Sequence, residues 1–216
     1  MAVAVAVFAG FAPTYFLRPY FQTTSLPPLL HLHGFVFTMW ILLLLTQTTL
    51  VAAHRTDLHR RLGLAGAALA GLMVVVGLTT AIVTGRRDVA AGSDEALSFL
   101  TTPFADMLVF LVLVAAAIGY RRRAEAHKRL MLLATISILD AAVARWPLAI
   151  VASSSFAFFV LTDVFIVAGI VYDVVSRRRV HPAYVWGGSL IVASQPLRLV
   201  VGQTDGWRAV ASLILQ

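Results

Sequence analysis

The chain has no cysteine, which removes disulfides, iron–sulfur clusters and thiolate zinc sites together. Asparagine is also absent, so N-linked glycosylation has no acceptor. The single lysine, Lys128, sits in a loop between apolar segments. A retinal Schiff base needs a lysine inside the last helix, so a rhodopsin-type chemistry is excluded. No segment reads G-x-x-x-x-G-K-[ST], H-E-x-x-H or G-x-S-x-G, the signatures of P-loop, zincin and serine-hydrolase chemistry. Charge is scarce as well: Asp, Glu, Lys and Arg make up 12% of the residues, against roughly 25% in a soluble domain.

What fills the chain is apolar. Hydrophobic residues are 60% of the 216, and mean hydropathy is +0.88. They fall in blocks long enough to cross a bilayer, which takes about 20 residues. Seven segments are expected, at about 2–17, 30–53, 63–84, 103–120, 130–151, 155–176 and 184–202. The expected fold is an all-α polytopic transmembrane bundle occupying residues 1–216 as one integral membrane domain, with a four-helix core over about 30–151 and the other segments flanking it. The first segment lacks a basic leader and reads as a retained helix interrupted by Pro13. Residues 205–216 are too few to span, and read as an interfacial helix anchored by Trp207.

Basic residues set the expected orientation, because cytoplasmic loops are enriched in Lys and Arg. Eleven of the 17 lie in three loops: Arg55, Arg60, Arg61, Arg121, Arg122, Arg123, Lys128, Arg129, Arg177, Arg178 and Arg179. The N-terminus is then inside and the C-terminus outside, in a bacterial cytoplasmic membrane. The net charge of +7 is divided among short loops where it suits an anionic leaflet, so the lipid bilayer, and no nucleic acid, is the expected partner.

Two of those loops end alike. Leu58-His59-Arg60-Arg61-Leu62 and Ala126-His127-Lys128-Arg129-Leu130 are offset by 68 residues. Hairpins two/three and four/five then share a topology, related by a pseudo-twofold axis along the membrane normal. Basic residues and His at an interface account for the likeness on their own; the functional alternative is that His59 and His127 face one another as ligands.

The second segment carries His33, Trp40, Gln47 and His54 at seven-residue intervals. Seven residues are nearly two turns, so these four make one stripe directed into the bundle. His33 and His54 are 21 residues apart, roughly 31 Å along a helix, and cannot serve one site. Other polar residues fall in the outer half: His31, Asp106, Asp140, Arg145, Asp163, Gln195 and Arg198. An ionised side chain there costs about 2.5–3.5 kcal/mol on insertion scales. Pairing Asp140 and Asp163 with Arg145 and Arg198 would relieve that cost, whereas a cavity lined by the same residues would bind an anionic or carbonyl-bearing ligand. Asp106 fits a first helical turn after a Thr102 cap and Pro103. Pro147 and Pro196 are expected to interrupt their helices beside this group. In the third segment, Gly63, Ala67 and Gly71 form a smooth ridge for close packing.

The string His31-Leu32-His33-Gly34 with Trp40, Gln47, Leu58-His59-Arg60-Arg61-Leu62-Gly63 and His127-Lys128-Arg129-Leu130-Met131-Leu132-Leu133 resembles an uncharacterised bacterial family of small polytopic membrane proteins. The likeness extends to Phe11-Ala12-Pro13-Thr14-Tyr15 and to Ser194-Gln195-Pro196-Leu197-Arg198. More distantly, His at the ends of paired helices is similar to the four-helix b-type cytochromes, which hold heme between helices and exchange electrons with quinones. Those proteins pair His at equal depth, and the outer end here has His on the second segment alone. The resemblance therefore implies heme b at the inner face only, ligated by His54 or His59 with His127.

Three readings stay open. One is a redox protein with inner axial His and a quinone or other small lipophilic ligand against His31, His33, Trp40, Gln47, Asp140, Arg145, Asp163, Gln195 and Arg198. Another is a membrane-embedded hydrolase in which His31, His33 and an Asp such as Asp106 hold a divalent metal. The last is a non-catalytic accessory subunit of a membrane complex whose polar residues are structural.

Overall fold

The computed structural model describes residues 1–21, 25–153 and 156–216. Among them there is no strand. The helices are α1 (Ala2–Phe11), α2 (Arg18–Phe21), α3 (Pro28–Ala52), α4 (Thr56–Ala90), α5 (Glu95–Phe99), α6 (Thr101–Gly119), α7 (Ala124–Ile136), α8 (Asp140–Val143), α9 (Ala149–Ser153), α10 (Ala157–Arg177), α11 (Pro182–Gly202) and α12 (Asp205–Leu215), with a π-helical turn at Ala12–Phe16. Four stretches are long and apolar enough to cross a membrane: Pro28–Ala52, Thr56–Ala90, Glu95–Gly119 and Ala157–Arg177. Apolar side chains also point outward in a way no soluble bundle would tolerate. On α10 the exposed residues include Val160, Val164, Val167, Val171 and Val175, five valines along one stripe, where a helix in water would be polar.

The core lies between α4, α6, α7 and α11. Phe110, Leu113, Leu130, Leu133 and Met73 are fully enclosed there. Trp40 enters it from α3; its indole donates to the Thr135 hydroxyl at 3.2 Å and its ring meets Phe110 edge-on. Flanking elements complete the bundle, α3 on α4, α10 on α11 and α8, and α1 on α8. The C-terminal helix packs one face on α4 and α5. The Trp207 indole donates to the Leu97 carbonyl at 2.9 Å and Arg86 donates to that of Ile214.

Several expected boundaries shift, for identifiable reasons. The third segment is not 63–84 but a helix of 35 residues, about 52 Å long, because Asp57 in its first turn and Arg87 in its last complement the helix dipole and let it outrun the apolar window. Its packing ridge is Gly66, Ala70, Met73, Gly77 and Thr80 in place of Gly63, Ala67 and Gly71. A Cβ at Gly71 would meet nothing, whereas one at Gly77 would come within 2.7 Å of the Met107 sulfur. The fourth segment begins earlier, at Glu95, so Thr102 lies inside a helix and caps nothing.

The fifth segment, expected over 130–151 with an interruption at Pro147, breaks twice. Helix α7 stops at Ile136, where the Ser137 hydroxyl bonds to the Ala134 carbonyl, a side-chain alternative to the helical ladder. A second gap follows α8, before Pro147, which forces the preceding residue out of the helical region. Pro196, by contrast, leaves α11 unbroken. The sixth segment is described from Phe156 onward; its expected start at 155 lies outside the described residues.

His54 leaves its stripe. Helix α3 ends at Ala52, and His54 takes a left-handed φ of 57°. The His54 amide donates to the Val51 carbonyl and the Arg55 amide to that of Leu50, the two bonds of a Schellman turn. His54 therefore occupies a corner position usual for glycine, exposed.

Candidate functional site

Polar side chains gather at the two ends of the bundle. The α3/α4, α6/α7 and α10/α11 turns share one end, here the basic end, as contacts between their residues require. His59 on α4 and His127 on α7 face each other there, ring centroids 6.2 Å apart and planes at 85°. The His127 Nδ1 lies 2.8 Å from the Ala117 carbonyl oxygen. A carbonyl only accepts, so the neutral ring carries its proton on Nδ1 and leaves Nε2 as the lone-pair atom. The His59 Nδ1 is buried and has no partner. Gln47 supports this side, its amide donating to the His59 carbonyl at 3.2 Å.

The basic end also holds an ion network for which the sequence reading had no place. Arg129, assigned to a loop by composition, is buried on α7. Its Nε donates to Asp173 Oδ2 at 2.8 Å and its Nη2 to Oδ1, a bidentate pair with α10. Nη1 donates to the Glu125 carbonyl and carboxylate at 2.8 and 2.7 Å, and the guanidinium lies over the Tyr184 ring of α11. The signal was present in the sequence: Ala126, Arg129/Leu130 and Leu133 fall on the buried face of one helix. His181, the remaining histidine of this end, caps α11. Its Nδ1 accepts from the Ala183 amide at 3.1 Å, and burial, then the charge of Arg129, lower its pKa.

Glu125 receives Arg129, Lys128 and Arg177. Hydrogen bonds from Arg129 and then Lys128 draw its pKa from 4.5 down to about 2. A carboxyl depressed on folding stabilises above its unfolded value and loses that contribution as pH falls toward its folded one. The melting temperature in detergent should therefore fall between pH 4.5 and about 2 more steeply in the parent chain than in Glu125→Gln. Equal slopes would show that Glu125 contributes nothing.

At the opposite end Arg198 of α11 is the hub. Its Nη1 donates to Asp106 of α6 and, at 3.3 Å, to Asp140 Oδ2 of α8. Its Nη2 donates to the Ser194 hydroxyl at 2.9 Å, and its face covers Phe159. Asp140 also accepts from the Ala141 amide at 2.7 Å. The expected pairing is thus altered: Asp106 joins Asp140 on Arg198, and no longer serves only a first helical turn. Asp163 instead accepts from the Gln195 amide at 2.8 Å. Arg145 forms no ion pair among the described residues; it donates to the Ala141 carbonyl and lies 4.9 Å from the Phe11 centroid.

His33 stacks on Phe37 with centroids 4.1 Å apart, its Nδ1 buried without a partner. His31 is exposed, and its carbonyl accepts from the Tyr15 hydroxyl at 3.2 Å. Among the described residues no three His, Asp or Glu lie together as a metal site would require, so His31, His33 and Asp106 are not gathered. The structure brings together His59 with His127, Asp106 with Asp140 and Arg198, and Asp163 with Gln195. Trp40 and His54 stand apart from these groups, and Arg145 is held beside Asp140 through the Ala141 carbonyl without pairing to it. No protein-family model, curated protein or solved structure matches the chain.

Proposed function

We propose that the chain is a multi-pass redox protein of the bacterial cytoplasmic membrane that holds heme b between His59 and His127 at its inner face and exchanges electrons with a lipophilic carrier of the quinone type. Seven crossings fit this reading: α1 with the π-helical turn, α3, α4, α5 with α6, α7 to α9, α10 and α11. Three basic turns at one end support an N-terminus inside and a C-terminus outside.

The facing histidines carry the proposal. Two imidazoles sharing one metal at about 2 Å each have centroids roughly 6 Å apart, allowing half a ring on either side, and those of His59 and His127 are 6.2 Å apart. The Ala117 carbonyl on His127 Nδ1 is the outer partner that fixes the tautomer and orientation of a ligating histidine. Heme would supply one-electron chemistry there; His59 and His127 would supply the two lone pairs that hold it.

The test is a reduced-minus-oxidised visible spectrum with iron analysis on the same purified protein. A Soret band lost in His59→Ala and His127→Ala, and retained in His54→Ala and His181→Ala, is the expected result. A colourless preparation without iron, from cells able to supply heme, would overturn it. A second reading, a non-catalytic subunit of a membrane complex, is favoured by Asp106, Asp140 and Arg198 satisfying one another in place of lining a cavity.

A further inference from the structure

From a separate set of residues, we infer that Asp163, with Gln195 as its hydrogen-bond partner, is a site of reversible proton binding at membrane depth. Asp163 lies six residues into α10, about 9 Å from its start, on a helix long and apolar enough to span. It is half-buried, while Gln195 is buried on α11.

The charges around it can be counted. Helix α10 packs on α7, α8, α9 and α11. Helix α8 brings Asp140, α11 brings Arg198, α9 brings no titratable group, and Arg145 follows α8. The charged residues of α7, Glu125 to Arg129, are at the basic end, as is Tyr184 of α11. Asp106, Asp140 and Asp163 thus stand against Arg145 and Arg198, one negative charge in excess. One proton from the aqueous phase, with no electron moved, makes the set neutral.

Hydrogen bonding sets Asp163 apart from the other two acids. Arg198 is shared by Asp106, Asp140 and Ser194, so those two acids have one cation between them. Asp163 has no cation partner among the described residues, and receives only the Gln195 amide. An amide N–H donates to a carboxylate and also, more weakly, to the carbonyl oxygen of a carboxylic acid. Asp163 can gain or lose a proton without surrendering its partner, as an intramembrane proton site must. This inference does not rest on heme at His59 and His127.

Dicyclohexylcarbodiimide, which partitions into micelles and lipid, is the probe. It adds whole to a protonated carboxyl, the acid proton passing to a carbodiimide nitrogen, and the adduct persists where water is excluded. Mass mapping of the full-length protein should find the adduct on Asp163, falling as pH is raised, and lost in Asp163→Asn, which keeps an oxygen for Gln195. Asp57→Asn, at the exposed basic end, should leave labelling unchanged and controls for folding and handling. No adduct on Asp163 in folded protein, an adduct on Asp106 or Asp140 in its place, or Asp163 labelling indifferent to pH would each overturn the inference.

Discussion

Replacing Arg198 by leucine will destabilise the protein by about 3–5 kcal/mol, the cost of breaking a buried ion pair by removing one partner. The cost is high because a single guanidinium serves Asp106, Asp140 and Ser194, and its loss leaves two buried acids without an ion-pair partner. Thermal unfolding in detergent reads the loss. Adding Asp106→Asn and Asp140→Asn to Arg198→Leu should restore most of it, since the repulsion and the uncompensated charges go together. Arg198→Lys should rescue poorly, because a single ammonium cannot reproduce the planar fork that reaches three partners on three elements. An unchanged melting temperature in Arg198→Leu would mean that the cluster contributes no stability.

Arg129→Leu should cost a similar amount, about 3–5 kcal/mol, with a different local signature. Arg129 joins α7 to α10 through Asp173 and lies against Tyr184 of α11. Without it the Arg177 to Arg179 turn loses its anchor, and trypsin should cut there before the rest of the molecule opens. The double variant Arg129→Leu with Asp173→Leu should be more stable than either single change, because a buried pair exchanged for apolar side chains leaves no orphan charge. If the two losses simply add, Arg129 and Asp173 do not act as a pair.

The all-helical, apolar character of the chain, the gathering of basic turns at one end and the meeting of His59 with His127 were legible in residue order. Each depends on where along the chain a residue falls. What escaped depends on which way a residue turns. Helix α4 is apolar all round between its polar ends, so hydropathy does not distinguish the expected ridge through Gly63 and Gly71 from the one through Gly66 and Gly77 that packs. Arg129 was hidden among five neighbouring cations of the same loop, Arg121 to Arg123, Lys128 and itself, although its spacing with Leu133 turns it inward. The break after Ile136 was invisible for another reason. Ser137, Ile138 and Leu139 keep the segment apolar, and hydropathy does not register a hydroxyl competing for a backbone carbonyl. Asp163 was expected on an arginine because opposite charges at one depth invite pairing; its partner is the amide one helix away.

The broken segment from α7 to α9 has a consequence for biogenesis. Backbone released from its helical ladder has no partners among lipid tails, so this stretch is a poor passenger for insertion as an isolated span. Its support comes from elements before and after it in the chain: Ala142 lies against Gly10 of α1, the Trp146 indole donates to the Ala6 carbonyl, and Asp140 awaits Arg198 of α11. The ribosome delivers α1 before this stretch and α11 after it. Residues 137–148 therefore meet α1 as they emerge and complete their contacts only when α11 follows, which makes Arg198 the latch of this stretch.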